Sequence, residues 1–257
     1  MIGEEGKQIP AEDRGFLYGD GLFETVRVQQ GRPFFLEVHR RRFEASAQAL
    51  GFPKSSVSAG LQALEGLSGR RDGLWRVTVT RDDPAAFGGG SGVVRLRRRD
   101  IPPPVEAIVA SVVYGAYFPK DSLAELKTTS WLRSVIARQR AVQRGAQEAI
   151  MADHQGRLGE ASAANLFIKV ADAWCTPPVE GLLPGVMRQH LLAQAPKRGL
   201  KIDVRPISVA DLAAAQAVAL TSTGRGVVAV EAVDDHSYEI GEVQELGALI
   251  AEDYDGP

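Results

Sequence analysis

The stretch "LKTTSW", residues 126 to 131, places Lys127 after a segment with no regular periodicity and just before a helix-like run. The chain uses arginine much more freely than lysine, so a lysine at this point calls for a reason. Taken alone, a lysine is more often a solvated surface residue than a catalytic one. The meaning of Lys127 therefore depends on what surrounds it in the fold.

The composition is that of an ordinary globular protein, with 44% hydrophobic and 24% charged residues in a chain of 257. This length predicts one large domain or two smaller ones. The formal net charge of −2 argues against a general polyanion binder, so we expect no nucleic acid partner. The basic run "RLRRRD", residues 95 to 100, fits a solvated strand edge better than a nucleic acid contact.

The sequence contains no recognisable targeting or membrane-spanning segment. The N-terminal "MIGEEGKQIP" lacks the basic and apolar regions of a signal peptide, and no apolar run approaches about 18 residues. The single cysteine, Cys175, is interpreted as a small apolar residue on a strand, and one cysteine cannot form a disulfide framework. We therefore expect a cytoplasmic protein with no membrane contact and no metal site.

The periodicity of apolar residues predicts a β-rich first half and helices that alternate with strands in the second half. The first half has a hairpin at 22 to 35, a helix at 39 to 52, a strand at 73 to 83 and a flexible loop at 86 to 92. In the second half, helices are predicted at 131 to 145, 182 to 199 and 243 to 254. The first of these is expected to turn Leu132, Val135, Ile136 and Val142 toward the core.

This order of elements predicts a mixed α/β (α+β) fold in two domains around a cleft. Residues 114 to 125 follow neither period and contain Gly115 and Pro119, so they form the predicted linker. The first domain then covers residues 1 to 113 and the second covers residues 126 to 257.

Six motifs in a fixed order carry a resemblance that covers nearly the whole chain, from about Arg14 to Val230. They are "RGFLYGDGLFETVRV", "HRRRF", "LKTTSWLRSVIARQRA", "GEASAANLFI", "TPPVEGLLPGVMRQ" and "LTSTGRGVVAV". In this order they resemble the class IV aminotransferase family, the fold type IV pyridoxal phosphate enzymes. The resemblance implies a small N-terminal α/β domain and a larger, β-barrel-like C-terminal domain with flanking helices. It also implies pyridoxal 5'-phosphate as cofactor, a small-molecule amine substrate and a homodimer.

The resemblance gives Lys127 a catalytic role, as the lysine that holds pyridoxal phosphate as a Schiff base and then moves protons. It implies that the carboxylate of Glu160 pairs with the pyridine nitrogen of the cofactor. Arg42, three residues after His39, matches the arginine that binds the cofactor phosphate. The Pro-Gly at 184 to 185 opens a helix whose exposed N–H groups suit a phosphate.

Further positions follow from the same resemblance. The backbone N–H groups of Val186 and Met187, together with the hydroxyls of Ser222 and Thr223, are assigned to the cofactor. Tyr18, Thr25, Arg27, Arg81 and Gly224 are assigned to the substrate. Thr25 and Arg27 lie two apart on one strand and therefore on one face, where Arg27 either binds a substrate carboxylate or is structural.

The sequence leaves the reaction open between two kinds of family member. "FETVRV" and the short lysine motif are closest to aminodeoxychorismate lyases, which release pyruvate and form 4-aminobenzoate for folate synthesis. Ser130 and Trp131 stand where those enzymes usually have Asn-Arg. Aminotransferases of branched-chain or D-amino acids are the alternative, although the later arginine of the D-amino acid enzymes is missing after Arg81. A non-catalytic cofactor-binding protein would not need Lys127, Glu160 and Arg42 together.

Overall fold

The computed structural model describes residues 2–3, 9–81 and 92–254. The helices are α1 (Arg14–Tyr18), α2 (Leu36–Ala49), α3 (Lys54–Glu65), α4 (Leu132–Gln143), α5 (Val186–Gln194), α6 (Val209–Ala213) and α7 (Gln244–Tyr254). Short 3₁₀ turns lie at Ala195–Arg198 and Gly241–Val243. No helix in these ranges is long and apolar enough to cross a membrane.

The strands fall into two sheets. They are β1 (Ile2–Gly3), β2 (Gly21–Gln29), β3 (Arg32–Pro33), β4 (Gly73–Arg81), β5 (Gly92–Arg99), β6 (Ala107–Tyr114), β7 (Glu148–Ala152), β8 (Arg157–Ala161), β9 (Asn165–Val170), β10 (Ala173–Thr176), β11 (Ile202–Val204), β12 (Ile207–Ser208), β13 (Ala217–Ser222), β14 (Gly226–Val233) and β15 (His236–Ser237). This mixture of helices and strands confirms the predicted fold class.

Contacts divide the chain into two compact units. Unit 1 comprises Met1–Pro102 and Leu126–Trp131, and unit 2 comprises Pro103–Glu125 and Leu132–Pro257. These units differ from the predicted domains, which ended the first domain at residue 113 and began the second at 126. β6 belongs to unit 2 because it pairs with β14 and β7, whereas the Lys127 segment belongs to unit 1.

Unit 1 contains a five-stranded sheet in the order β1-β5-β4-β2-β3. β2 and β3 form the predicted hairpin, and β4 pairs antiparallel with both β2 and β5. α2 and α3 pack on one face, where alternate strand residues are buried with apolar side chains of both helices. This core contains Leu22, Val26, Phe43, Leu64, Val77, Val79 and Val94.

The segment that carries Lys127 is fastened to β2 by backbone hydrogen bonds. The Phe23 N–H donates to the carbonyl oxygen of Lys127 at 2.9 Å, and the Thr129 N–H donates to the carbonyl oxygen of Gly21 at 2.8 Å. A Cβ on Gly21 would lie 2.8 Å from the Thr129 hydroxyl oxygen, so only glycine lets the two segments approach this closely. Lys127 is therefore held in a fixed register beside β2.

Unit 2 contains a ten-stranded sheet that curls into a half-barrel, with the order β11-β10-β9-β13-β14-β6-β7-β8-β12 and β15 paired to β14. β6 lies parallel to both of its neighbours, and β9 pairs antiparallel with β13. α5 packs against β13 and α7, and α4 packs against β6 and β7. The apolar core includes Val112, Ile150, Leu166, Ile168, Leu220 and Val230.

α4 corrects one expectation. Leu132, with 68% of its surface exposed, Val135, Ile136 and Val142 face outward rather than toward the core. The small residues Ala137 and Ala141 are buried instead, beside Val113 and Met151 of the sheet. Small side chains let the helix lie close to the strands, so its large apolar side chains form an exposed face.

Two other predictions concern the "RLRRRD" run and the loop before it. Residues 95 to 99 lie on β5, where β1 pairs only with Val94 and Arg95 within the described ranges. Arg97 and Arg99 are exposed, which agrees with the solvated edge predicted for this run. A flexible loop was predicted at 86 to 92. Residues 86 to 91 of it are not among the described residues, and Gly92 begins β5.

Candidate active site

The amine of Lys127 lies against two aromatic rings. Its Nζ is 4.6 Å from the ring centroid of Phe23 and 5.1 Å from that of Trp131. The two rings stack on each other, with centroids 4.9 Å apart and planes inclined by 29°. An ammonium over an aromatic face gains about 0.5–2 kcal/mol, depending on its desolvation. The two rings thus hold the amine in place. Phe23 is buried, with the Arg76 guanidinium 3.5 Å from its centroid, whereas Trp131 is half-buried.

A buried ionic cluster lies on the helix side of β2. The Glu24 carboxylate accepts from Arg42 Nε at 2.8 Å and from Arg42 Nη2 at 2.6 Å, and lies 2.6 Å from His39 Nδ1. Burial alone would raise the pKa of Glu24, but the charges of Arg42 and His39 and their hydrogen bonds lower it to about 2. Glu24 is therefore ionised, and it holds the guanidinium of Arg42 in one orientation.

His39 is fully buried in this cluster. Burial lowers its pKa, opposed by the charge and hydrogen bond of Glu24, while the positive charges of Arg42 and Lys127 lower it further. Because an ionised carboxylate only accepts hydrogen bonds, His39 donates from Nδ1 to Glu24. Neither Glu24 nor His39 was proposed as a site residue from the sequence. The available signal was a carboxylate at an alternating apolar position of β2, opposite two basic residues three apart on a helix.

In unit 2, Asn165 ties Glu160 to the loop before α5. Its Nδ2 donates to Glu160 Oε2 at 3.0 Å and to the carbonyl oxygen of Leu183 at 3.0 Å. The Leu183 N–H donates to Glu160 Oε1 at 3.2 Å. These bonds orient the Glu160 carboxylate, which is only half-buried. Asn165 was not proposed from the sequence, although it lies within the quoted "GEASAANLFI" motif.

The N-terminus of α5 begins beside the same asparagine. Gly185 is its N-cap and supplies no side-chain cap to the first turn, where Val186 and Met187 are both buried. A Cβ on Gly185 would lie 1.7 Å from Asn165 Oδ1, so a larger residue cannot occupy this position. The first N–H groups of a helix have no acceptor within the helix, so this end suits an anion.

β13 brings the predicted hydroxyl residues to this part of unit 2. Thr221 pairs with Asn165 across β9 and β13, and Ser222 is the last residue of the strand. Thr223 and Gly224 follow in the turn that leads to β14, and both are partly buried. The structure therefore gathers Glu160, the start of α5 and the end of β13 around Asn165.

The predicted substrate residues of unit 1 are not all on one face of the sheet. Thr25 and Arg27 lie on the face opposite the helices, and the Arg27 guanidinium donates to Gln29 Oε1. Arg81 lies on the helix face and is 5% exposed. It donates to the carbonyl oxygen of Leu50 and stacks on the ring of Phe52. These contacts favour a structural role for Arg81. Tyr18 is exposed at the end of α1.

The groups present fit pyridoxal phosphate part by part. Lys127 offers a positioned amine and Glu160 a fixed carboxylate for a pyridine N–H. The start of α5, which has no side-chain cap, offers N–H donors for a phosphate, and the hydroxyls of Ser222 and Thr223 at the end of β13 offer further donors. Among the described residues, no group of three or more His, Cys, Asp or Glu could hold a metal ion.

A comparison with protein families agrees with this chemistry. The family model of amino-transferase class IV matches residues 21–233. The chain therefore belongs to the class IV aminotransferase family, and it is a pyridoxal phosphate-dependent enzyme. The alternative of a non-catalytic binding protein is thereby set aside.

Individual relatives fall into both reaction classes. The chain is 28% identical to a presumed branched-chain-amino-acid aminotransferase of Methanocaldococcus jannaschii, over 95% of this chain and 90% of that one. It is 26% identical to a D-alanine aminotransferase of Bacillus licheniformis, over 91% and 86%. The crystal structure of a 4-amino-4-deoxychorismate lyase from Pseudomonas aeruginosa superposes with a TM-score of 0.85 and 28% identity, over 97% of both chains.

Proposed function

We propose that the protein is a 4-amino-4-deoxychorismate lyase, which releases pyruvate from its substrate and forms 4-aminobenzoate for folate synthesis. The observation that carries this proposal is the half-buried ring of Trp131 beside the Lys127 amine, which stacks on the buried ring of Phe23. A lyase of this kind must hold a six-membered ring that becomes planar and aromatic as the reaction proceeds. Stacked aromatic side chains favour such a ring, because planar π-systems pack in offset or tilted stacks.

The near-full-length likeness to the Pseudomonas aeruginosa lyase supports the same assignment, since it covers 97% of both chains. Lys127 is proposed to carry the cofactor, Glu160 to hold its pyridine nitrogen, and Arg42 with the start of α5 to hold its phosphate. The bound cofactor supplies an electron sink that makes the hydrogen on the amine-bearing carbon acidic. Ser222 and Thr223 are assigned to the phosphate as additional donors.

The chain's own part in the reaction is a proton transfer by Lys127. Its Nζ takes the proton from the amine-bearing ring carbon of the substrate, and the ring then expels the enolpyruvyl group as its C–O bond breaks. The proton on Nζ passes to the departing enolpyruvate, which becomes pyruvate, and the ring becomes aromatic. The rings of Phe23 and Trp131 stabilise Nζ while it is positively charged.

The first test is a mixture of the purified holoenzyme and aminodeoxychorismate without any keto acid. We expect pyruvate and 4-aminobenzoate in equal amounts from the wild type. Lys127→Ala should abolish both the product and the borohydride trapping of cofactor on this residue, whereas Lys197→Ala, at an exposed site, should behave as the wild type. Glu160→Ala should retain the cofactor but lose ~10²-fold or more in turnover.

An aminotransferase of branched-chain or D-amino acids is the second candidate, because the two aminotransferase relatives match over most of their length. In that reaction the Lys127 amine takes the proton from the amine-bearing carbon of the amino acid and returns it to the cofactor side. The amino group stays behind, and the substrate leaves as a 2-oxo acid. Turnover that requires both an amino acid and a keto acid, with no pyruvate from aminodeoxychorismate, would establish this candidate and overturn the lyase.

We also propose that the protein is a homodimer, with the exposed face of α4 in its interface. This face presents Leu132, Val135, Ile136 and Val142 to solvent in a single chain, and exposed apolar faces of this kind mark association sites. Light scattering after gel filtration should give a dimer for the wild type and a monomer for Val135→Lys. Arg140→Gln, on another side of the helix, should stay dimeric, and a dimeric Val135→Lys would contradict the assignment.

A further inference from the structure

Five arginines lie on one face of the sheet in unit 1: Arg27 on β2, Arg76 on β4, and Arg95, Arg97 and Arg99 on β5. Arg27 donates to Gln29 and Arg95 pairs with Asp13, and the other three lie together. Arg76 on β4 pairs directly with Arg97 on β5, and Arg99 lies two residues further along the same strand. Because side chains alternate along a strand, all three lie on the face opposite α2 and α3, which also carries Phe23 and Thr25. We call Arg76, Arg97 and Arg99 the arginine face.

This arrangement places like charges together. Residues directly opposite on antiparallel strands have Cβ atoms about 5 Å apart, and like charges there are destabilising. Burial of Arg76 lowers the pKa of its guanidinium to about 10, and the charges of Arg97 and Arg99 add to this effect. The folded chain therefore bears a cost to hold these three side chains side by side.

No described carboxylate compensates this charge. Arg76 donates only to the hydroxyl of Thr78, at 3.3 Å, and none of the three arginines forms an ion pair within the described residues. Two other arginines of β5 do form ion pairs, Arg95 with Asp13 at 2.9 Å and Arg98 with Asp100 at 2.5 Å.

Arg76, the member of the arginine face on β4, lies close to the amine of Lys127. The guanidinium carbon of Arg76 is 3.5 Å from the ring centroid of Phe23, and Lys127 Nζ is 4.6 Å from the same point. The two groups are consequently no more than 8.1 Å apart, the sum of these distances. A substrate bound at the Lys127 amine would therefore have the Arg76 guanidinium in its neighbourhood.

We propose that the arginine face binds a carboxylate of the substrate remote from its amine, so that the enzyme selects amines with two carboxylates. Guanidinium groups bind carboxylates through paired, planar hydrogen bonds, and an anion would relieve the repulsion among the three side chains. The inference rests on the proposed function, since aminodeoxychorismate carries one carboxylate on its ring and another on its enolpyruvyl group. It also gives Arg97 and Arg99 of the "RLRRRD" run a function beyond that of a solvated strand edge.

Binding of unreactive probes to the holoenzyme tests the site by calorimetry. Isophthalate and benzoate differ by one carboxylate, and we expect isophthalate to bind at least ~10-fold more tightly, with an affinity that falls as salt is added. The double variant Arg97→Gln/Arg99→Gln should lose this difference, while Arg76 keeps its contact with Phe23. The control Arg98→Gln, whose partner is Asp100, should retain it. Equal binding of both probes by the wild type, or an unchanged difference in the double variant, overturns the inference.

Kinetics separate the failure of this site from the failure of the lyase assignment. With aminodeoxychorismate, the double variant should raise KM at least ~10-fold and leave kcat within about twofold, because the lost contact is a binding contact. Isophthalate binding that depends on Arg97 and Arg99, in an enzyme inactive toward aminodeoxychorismate, supports the site and refutes only the lyase. Lyase activity with an unchanged KM in the double variant refutes the site and leaves the lyase standing.

Discussion

Replacement of Glu24 by glutamine should destabilise the protein and change how its stability depends on pH. The Glu24 carboxylate is buried and bonded to both Arg42 and His39, and its pKa falls from 4.5 to about 2. At ~1.4 kcal/mol per pKa unit, this shift corresponds to roughly 3 kcal/mol at neutral pH. Removing one partner of a buried ion pair costs about 3–5 kcal/mol, which is the same order.

The sign of the pH dependence follows from the lowered pKa. The stabilisation from ionised Glu24 is fully present above its unfolded pKa of about 4.5 and is lost as the pH falls toward about 2. The gap in unfolding free energy between the wild type and Glu24→Gln should therefore shrink from roughly 3 kcal/mol at pH 7 to roughly 2 kcal/mol at pH 3.5. The variant itself lacks this titration.

Thermal unfolding followed by circular dichroism measures the effect. A loss of about 3 kcal/mol should lower Tm by roughly 6–12 °C for a chain of this size. Glu37→Gln is the matched control, because Glu37 lies on α2 in exposed ion pairs with Arg40 and Arg41 that are worth about 0–1 kcal/mol. A Glu24→Gln variant that melts within 2 °C of the wild type at pH 7, or a gap that widens in acid, would refute the reasoning.

Two further predictions concern unit 2. Gly185→Ala should cost several kcal/mol of unfolding free energy and disrupt the start of α5, because the new Cβ would overlap Asn165 Oδ1. Gly247→Ala on α7 has open space around it and should be neutral or stabilising by up to ~1 kcal/mol. A urea titration of both variants compares them. Asn165→Asp should raise the apparent Kd for pyridoxal phosphate at least ~10-fold by placing a carboxylate against that of Glu160 and the Leu183 carbonyl, and a Kd unchanged in equilibrium dialysis would contradict the role of Asn165.

Local patterns were enough to predict most elements of the fold. The hairpin at 22 to 35 and the helices that became α2, α4 and α7 follow from apolar periodicity and turn residues. The side of α4 that faces the sheet did not follow, because the helix buries its small residues Ala137 and Ala141 and exposes its larger ones. Hydrophobicity alone favours the opposite arrangement.

The pairing of Lys127 with β2 was beyond local reasoning. Thr128 bridges to Leu22 across more than a hundred residues of sequence, and no nearby pattern encodes that contact. Arg81 is different, because it continues the alternating series of Val77 and Val79 on β4 and could have been assigned to the buried face. The same rule places Arg76 on the other face, and no role for Arg76 was predicted from the sequence.

The role proposed for Lys127 explains why a lysine stands at residue 127 in a chain rich in arginine. Both Arg76 and Lys127 contact the ring of Phe23. With its pKa lowered to about 10, Arg76 is still protonated near neutral pH, while a lysine amine can form a Schiff base and move a proton. Arg76 can therefore attract an anion permanently but cannot act as a base. In the proposed reaction only the group beside the reacting carbon moves a proton, which agrees with a lysine at residue 127. An exchange of the two residue types would retain the local charge and lose the proton transfer.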